Sequence, residues 1–238
     1  MRVGILTGGG DVPGLNSVIK SLVYRSTVSG HTVVGIRRGW EGLTHVRVGS
    51  DVEGEYIQPL DRLNTRTIER TGGTVLHTSR VNPRRVRPDR LPQNLTTEGL
   101  VGVAQPDGTY DLTSVVLSNI RALKLDHLFV IGGDDTLSFA HVLAAHGVSL
   151  IAIPKTMDND VPGTEYCIGF STAITRAKDA IDRQRTTLGS HERIGVFRIF
   201  GRDSGFTALH TAYVTSGRCL IPEAPFDLEV LIRLLVED

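Results

Sequence analysis

Apolar residues in the first two thirds of the chain fall into short unbroken blocks that alternate with stretches of helical spacing. "RVGILT" is a block of the kind that forms a strand buried on both faces, "GGGDVPG" is a glycine turn, "LNSVIKSLVYRSTVSG" is a helix ended by Gly30, and "HTVVGIRRG" is a second strand. The same order returns in the middle. "TSVVLSNIRALKL" places Val116, Ile120 and Leu123 on one helical face, "DHLFVIGG" is a strand, "DTLSFAHVLAAHG" is a helix closed by Gly147, and "VSLIAIP" is another strand. Strands and helices alternating at this spacing predict right-handed crossovers and a mainly parallel sheet with helices on both faces. In such a sheet, ligands gather at the carboxyl ends of the strands.

From Phe170 the pattern predicts a long amphipathic helix with Ala173, Ile174, Ala177, Ala180 and Ile181 as its core stripe. It then predicts a strand over "RIGVFRIFG", a helix over "FTALHTAYVTSG", a strand over "RCLIPE" and a helix capped by Asp227. The apolar stripe of that last helix, Leu228, Leu231, Leu235 and Val236, runs to the final residues and needs a partner, so the pattern reads as curtailed. The expected class is α/β with a mainly parallel sheet.

Composition narrows the classes of function. The chain has 238 residues, 40% hydrophobic and 22% charged, which is globular rather than disordered. Lys plus Arg and Asp plus Glu both number 26, so no charge imbalance points to nucleic acid or an anionic membrane, and anion binding has to be local. Cys167 and Cys219 stand alone without metal-ligand spacing, which predicts a reducing, cytoplasmic setting. The opening apolar run is too short for a signal peptide and no later run is long enough to span a bilayer.

Chemistry is concentrated at strand ends. "TGGGDVPG" (7 to 14), "RTGGT" (70 to 74) and "IGGDDT" (131 to 136) each let backbone N–H groups approach an oxyanion, and two of them precede helices. None has Walker or dinucleotide-fingerprint spacing. In "PKTMDND" (154 to 160), Pro154 ends a strand, so Lys155, Asp158 and Asp160 sit on a loop where substrate would lie. A carboxylate there can take the proton of an attacking hydroxyl and an ammonium can neutralise a transferring phosphoryl group. The structural alternative is an Asx turn tying down its own backbone, for which Asn159 suffices; three glycine loops at neighbouring strand ends favour phosphoryl transfer. The arginine-rich stretch 78 to 94 is either a solvated loop or an anion-facing one; it lacks the interleaved aromatics of an RNA-binding arm.

"GGGDVPGLN", "GGT", "GGDDT", "PKTMDND", "HER", "FGRDSG" and "IPE" together, in this order, resemble the phosphofructokinase family over the whole chain. The resemblance implies a kinase for the 1-hydroxyl of fructose 6-phosphate, with Asp158 as general base and Thr156 and Asp160 around it. It implies Asp134 as the Mg²⁺-associated carboxylate, Gly10 as a donor-phosphate contact, and Gly72, Gly73 and Gly133 as further donor-binding glycines. Arg193 corresponds to an arginine reaching the sugar phosphate of a neighbouring subunit, so a homodimer or homotetramer is implied; Phe200, Gly201, Arg202 and Glu223 correspond to sugar-phosphate contacts. Phe200 stands where the family usually has Met, and family chains continue beyond the position of Asp238. The rival reading is a non-catalytic subunit or fragment that binds phosphorylated ligands.

Nucleotide-using members read GGDG where this chain has Asp135, and have glycine where it has Lys155. Both replacements match the pyrophosphate-dependent branch. A carboxylate at 135 takes the volume and charge that a nucleotide's α-phosphate would bring. Two unit charges roughly 4 Å apart at an effective dielectric of about 20 repel by about 4 kcal/mol, on the order of a thousandfold in affinity. Pyrophosphate has no third phosphate to collide, and Lys155 compensates its charge. The alternative role for Asp135 is stabilisation of its helix N-terminus through the dipole. Pyrophosphate is therefore the expected donor, with ATP the alternative.

Overall fold

A computed structural model describes residues 1–93, 95 and 103–237. Asn94, which ends the arginine-rich stretch, and Asp238 lie outside the described residues. The chain forms two compact units, Met1–Lys155 and Thr156–Asp238. The division falls at Lys155/Thr156, just past Pro154 where the pairing of β5 with β4 ends; the domains that the family resemblance implies are two similar three-layer ones over 1–168 and 169–238, the second incomplete.

The first unit runs β1 (Arg2–Thr7), α1 (Leu15–Val28), β2 (Thr32–Ile36), α2 (Trp40–His45), α3 (Asp51–Tyr56), β3 (Ile57–Leu60), α4 (Thr113–Ala122), β4 (His127–Gly132), α5 (Asp134–Ala145) and β5 (Leu150–Thr156). The strands lie in the order β3-β2-β1-β4-β5. All pairings are parallel except β2 with β3. β1 is central because it is apolar on both faces: Leu6 packs into a core with Ile36, Leu43, Val116, Ile120, Leu128 and Phe139, and Ile5, on the opposite face by strand alternation, is equally inaccessible. Val116, Ile120 and Leu123 are buried together as their spacing predicts. Gly30 (φ +73°) and Gly147 (φ +82°) follow α1 and α5 in the left-handed conformation that ends a helix. The short helices α2 and α3 and the antiparallel edge strand β3 are too short to leave a periodic signal.

The second unit contains a two-residue strand, β6 (Ile168–Gly169), then α6 (Phe170–Ser190), α7 (Phe206–Thr215) and α8 (Leu228–Glu237). Phe170 and Ile181 are buried on α6, while Ala180 of the expected stripe is exposed. Thr207, Thr211 and Thr215 form the buried face of α7. Asp227 caps α8, accepting the N–H groups of Glu229 (2.8 Å) and Val230 (3.2 Å). The strands expected over "RIGVFRIFG" and "RCLIPE" do not form. A strand requires a neighbour for its ladder, and these segments have none among the described residues; Ile194, Val196, Phe197 and Leu220 are exposed. No described helix is long and apolar enough to cross a membrane.

His45, in the last turn of α2, has Nδ1 3.0 Å from the Glu41 carbonyl oxygen, and burial pulls its pKa below the ordinary value despite that contact. The unfolded chain therefore binds the proton first as pH falls below about 6.5. Stability present above that pH is lost as it drops, until the folded protein also protonates. Urea midpoints measured from pH 7.5 to 5.5 should fall less steeply for His45→Gln than for the native chain; identical slopes would place the titration elsewhere.

Candidate active site

In the first unit the three glycine loops meet at the carboxyl end of the sheet. The Gly8 N–H donates to the Ile131 carbonyl (2.9 Å), joining the turn after β1 to the end of β4. Thr136, buried on the first turn of α5, fills the space between them: a Cβ on Gly8 would lie 2.7 Å from its side chain and one on Gly132 only 2.3 Å from it. Trp40 holds that turn from the far side, with Nε1–H donating to the Thr136 carbonyl (3.2 Å) and its ring edge-on to Phe139 at 4.9 Å. Gly9 has φ +81°, and a Cβ there would stand 3.2 Å from the Lys155 ammonium. Lys155 is 3% exposed at the end of β5. An ammonium is thus set beneath the Gly9 turn.

The "RTGGT" loop is fastened to this turn. The Thr7 hydroxyl lies 3.0 Å from the Thr74 hydroxyl and donates to the His77 carbonyl (2.9 Å). The Gly9 N–H donates to the Ser79 carbonyl (2.9 Å), and the Thr78 hydroxyl donates to the Gly9 carbonyl (2.8 Å). Gly73, at φ +75°, has the Asp11 carboxylate 4.0 Å from where a Cβ would stand. This fastening brings Arg80 to the cradle, with its guanidinium 3.7 Å from the Cβ position of Gly10. Arg80 was not legible as a site residue. The arginine-rich stretch carried the signal, but the choice of one arginine depends on the packing of 71–79.

Asp134 and Asp135 occupy the first turn of α5 and are exposed. Among the described residues no three His, Cys, Asp or Glu side chains come together as a metal cluster.

A cavity of about 410 Å³ opens beside this edge, reached at Val81, the residue after Arg80. Glu41, His45, Glu55 and Tyr56 line one part and Arg90 another. Arg38 pairs with Glu55 at 3.1 Å and Glu41 at 3.8 Å, and its carbonyl accepts the Ser79 hydroxyl at 2.7 Å.

In the second unit Asp158 is 4% exposed. Its N–H donates to the Thr156 hydroxyl (3.1 Å), and its carbonyl accepts the Ser204 hydroxyl (2.8 Å). The Thr207 hydroxyl donates to the Met157 carbonyl (2.6 Å). Asn159, at φ +55°, ties the turn, its amide donating to the Glu165 carbonyl and accepting from the Cys167 N–H. Asn159 thus performs turn-forming work at this loop. Gly201 begins the turn that carries Arg202 and Ser204, its carbonyl accepting the Ser204 N–H at 2.8 Å. Asp160, Phe200, Arg202 and Arg193 are exposed, Arg193 just past the end of α6. Glu223 is engaged with α7, accepting the Gly205 N–H at 2.7 Å.

A protein-family profile described as Phosphofructokinase matches residues 2–237. The chain is 37% identical over 233 residues to the ATP-dependent 6-phosphofructokinase 3 of Streptomyces coelicolor, covering 97% of this chain and 59% of that protein. It is 40% identical over 232 residues to the pyrophosphate--fructose 6-phosphate 1-phosphotransferase of the same organism, covering 96% and 58%. The crystal structure of Pichia pastoris phosphofructokinase in the T-state superposes with a TM-score of 0.77 at 24% identity, over 100% of this chain and 23% of that one. The chain spans about three fifths of the length of the curated relatives it matches.

Gly9→Ala puts a Cβ at positive φ and against the Lys155 ammonium, whereas Gly10→Ala meets nothing closer than 3.7 Å. The first substitution should lower the unfolding free energy by about 1–2 kcal/mol, and the second should change it by less than about 0.5 kcal/mol. Urea titration of both variants checks the contrast.

Proposed function

The chain belongs to the phosphofructokinase family, and from that premise we propose that it transfers a phosphoryl group from pyrophosphate to the 1-hydroxyl of fructose 6-phosphate. The observation that carries the donor reading is the buried Lys155 ammonium beneath Gly9, paired with a carboxylate, Asp135, on the turn where a glycine would leave room for a nucleotide. Gly10, Gly72, Gly73 and Gly133 offer backbone contacts to the donor. Arg80 adds a cation at the same loop.

Asp158 acts as the general base. Its burial keeps the carboxylate out of bulk water, and Thr156 and Ser204 hold its backbone so that the side chain need not reorganise during transfer. Only Thr156 and Met157 separate it from Lys155 in the chain, and that ammonium screens the migrating charge. Asp134 would hold Mg²⁺, which when bound supplies positive charge against the donor's phosphate oxygens. Thr156, Asp160, Phe200, Gly201, Arg202 and Glu223 form the sugar-phosphate contacts, and Arg193 serves a neighbouring subunit in a homodimer or homotetramer. Pyrophosphate and the sugar bisphosphate have comparable transfer potential, so the reaction runs in both directions.

ATP as donor is the second reading, and the cavity of about 410 Å³ beside Val81 is the observation that favours it. The volume lies within the range of small-molecule sites. Its walls carry carboxylates (Glu41, Glu55, Asp89) and guanidinium groups (Arg47, Arg90) alike, so its charge does not select a donor, and the Lys155 and Asp135 pair leaves pyrophosphate the first reading.

A coupled assay with fructose 6-phosphate and each donor decides between them. Pyrophosphate should support turnover and ATP should not; pyrophosphate binding without turnover with either donor would leave a non-catalytic subunit. Asp158→Asn should lower kcat on the order of 10²- to 10⁴-fold with little change in donor affinity. Asp135→Gly with Lys155→Gly should shift donor preference toward ATP, and a double variant with unchanged kinetics on both donors would remove the electrostatic account of donor choice.

A further inference from the structure

We propose that Asn16 is a positioning residue for the phosphoryl donor, closing the loop that carries Gly72 and Gly73 and so setting where Arg80 stands. The proposal rests on the reading of this edge as the donor site. Asn16 is the second residue of α1 and is 2% exposed, far more buried than an amide in a first helical turn needs to be. Its side chain does not cap its own helix. Nδ2 donates to the Thr71 carbonyl (3.1 Å) and reaches the Thr71 hydroxyl (3.4 Å), while Oδ1 accepts the Val75 N–H (2.9 Å). One side chain therefore joins both ends of a five-residue loop whose centre, Gly73, lies at φ +75°.

The chemistry of the amide explains why this residue type is needed. The loop presents a carbonyl at one end and an N–H at the other, and a single short side chain must offer both a donor and an acceptor. Aspartate matches only the Val75 end and faces the Thr71 carbonyl with like charge; leucine matches neither and takes the side-chain partner from the Thr71 carbonyl and the Val75 N–H. With 71 and 75 held, the Thr7 contacts to 74 and 77 and the Gly9 contacts to 78 and 79 continue the fastening to Arg80. Nothing in this chain of contacts involves the Asp158 turn, so loss of Asn16 should act on the donor and leave the sugar phosphate unaffected.

The test compares Asn16→Leu and Asn16→Asp with Ile19→Val, a core substitution one turn along the same helix, in the full chain. Pyrophosphate binding is followed by calorimetry, and amide hydrogen exchange by mass spectrometry over 71–79. Asn16→Leu should weaken pyrophosphate binding ten- to hundredfold and speed exchange at both ends of the loop. Asn16→Asp should weaken binding at least as much while Val75 stays protected, because its acceptor is retained. Ile19→Val should lower the melting temperature and leave pyrophosphate binding within twofold. In the coupled assay, KM for the donor should rise while KM for fructose 6-phosphate holds. Equal pyrophosphate affinity in native and Asn16→Leu protein, or weakening by Ile19→Val of the same size, overturns the proposal. If the native chain does not bind pyrophosphate, the donor reading fails; the clamp is then judged on loop exchange alone, and unaltered exchange in Asn16→Leu overturns it.

Discussion

The close approach of the ends of β1 and β4 around Thr136 is the constraint on which the rest of this edge depends. The two strands converge so tightly that a methyl group at Gly8 or Gly132 would occupy the volume of the threonine side chain. Two parallel strands are about 4.8 Å apart, and the turns that leave them can approach this closely only without side chains. The result is a turn after β1 tied by its own amides to the end of β4 and to Ser79. Trp40 and Phe139 hold the opposite side of the wedge, so the helix that follows β4 begins at one fixed place. That helix start carries Asp134 and Asp135.

A second consequence concerns charge. Lys155 and Asp158 are both nearly inaccessible, and they lie on either side of the boundary between the two compact units. Burying ionised groups is unfavourable unless something compensates them. The Asn159 turn and the Ser204 and Thr207 hydroxyls hold the backbone around Asp158.

The two units differ in how completely their apolar residues are covered. In the first, alternating strand faces bury against α1 on one side and against α2, α4 and α5 on the other. In the second, the threonine face of α7 packs on α6, and the Arg185 guanidinium donates to the Thr215 carbonyl, but Val196, Phe200, Tyr213 and Val236 remain exposed. An apolar run with strand-like composition is not a strand until a neighbour accepts its hydrogen bonds.

Amino-acid order alone was enough to place the parallel strands β1, β2, β4 and β5, the helices α1, α4 and α5, the caps at Gly30, Gly147 and Asp227, and the three glycine loops. Each rests on local information: periodicity, a residue free to take positive φ, or a carboxylate able to receive helix N–H groups. Tertiary structure alone decided which arginine of a charged stretch reaches the Gly10 turn, which amide clamps 71 to 75, and that the apolar runs at 194–200 and 218–223 stay unpaired. Those outcomes depend on partners tens of residues away, such as Asn16 for Val75 and Gly9 for Ser79, and no local pattern encodes where a distant backbone group will come to rest.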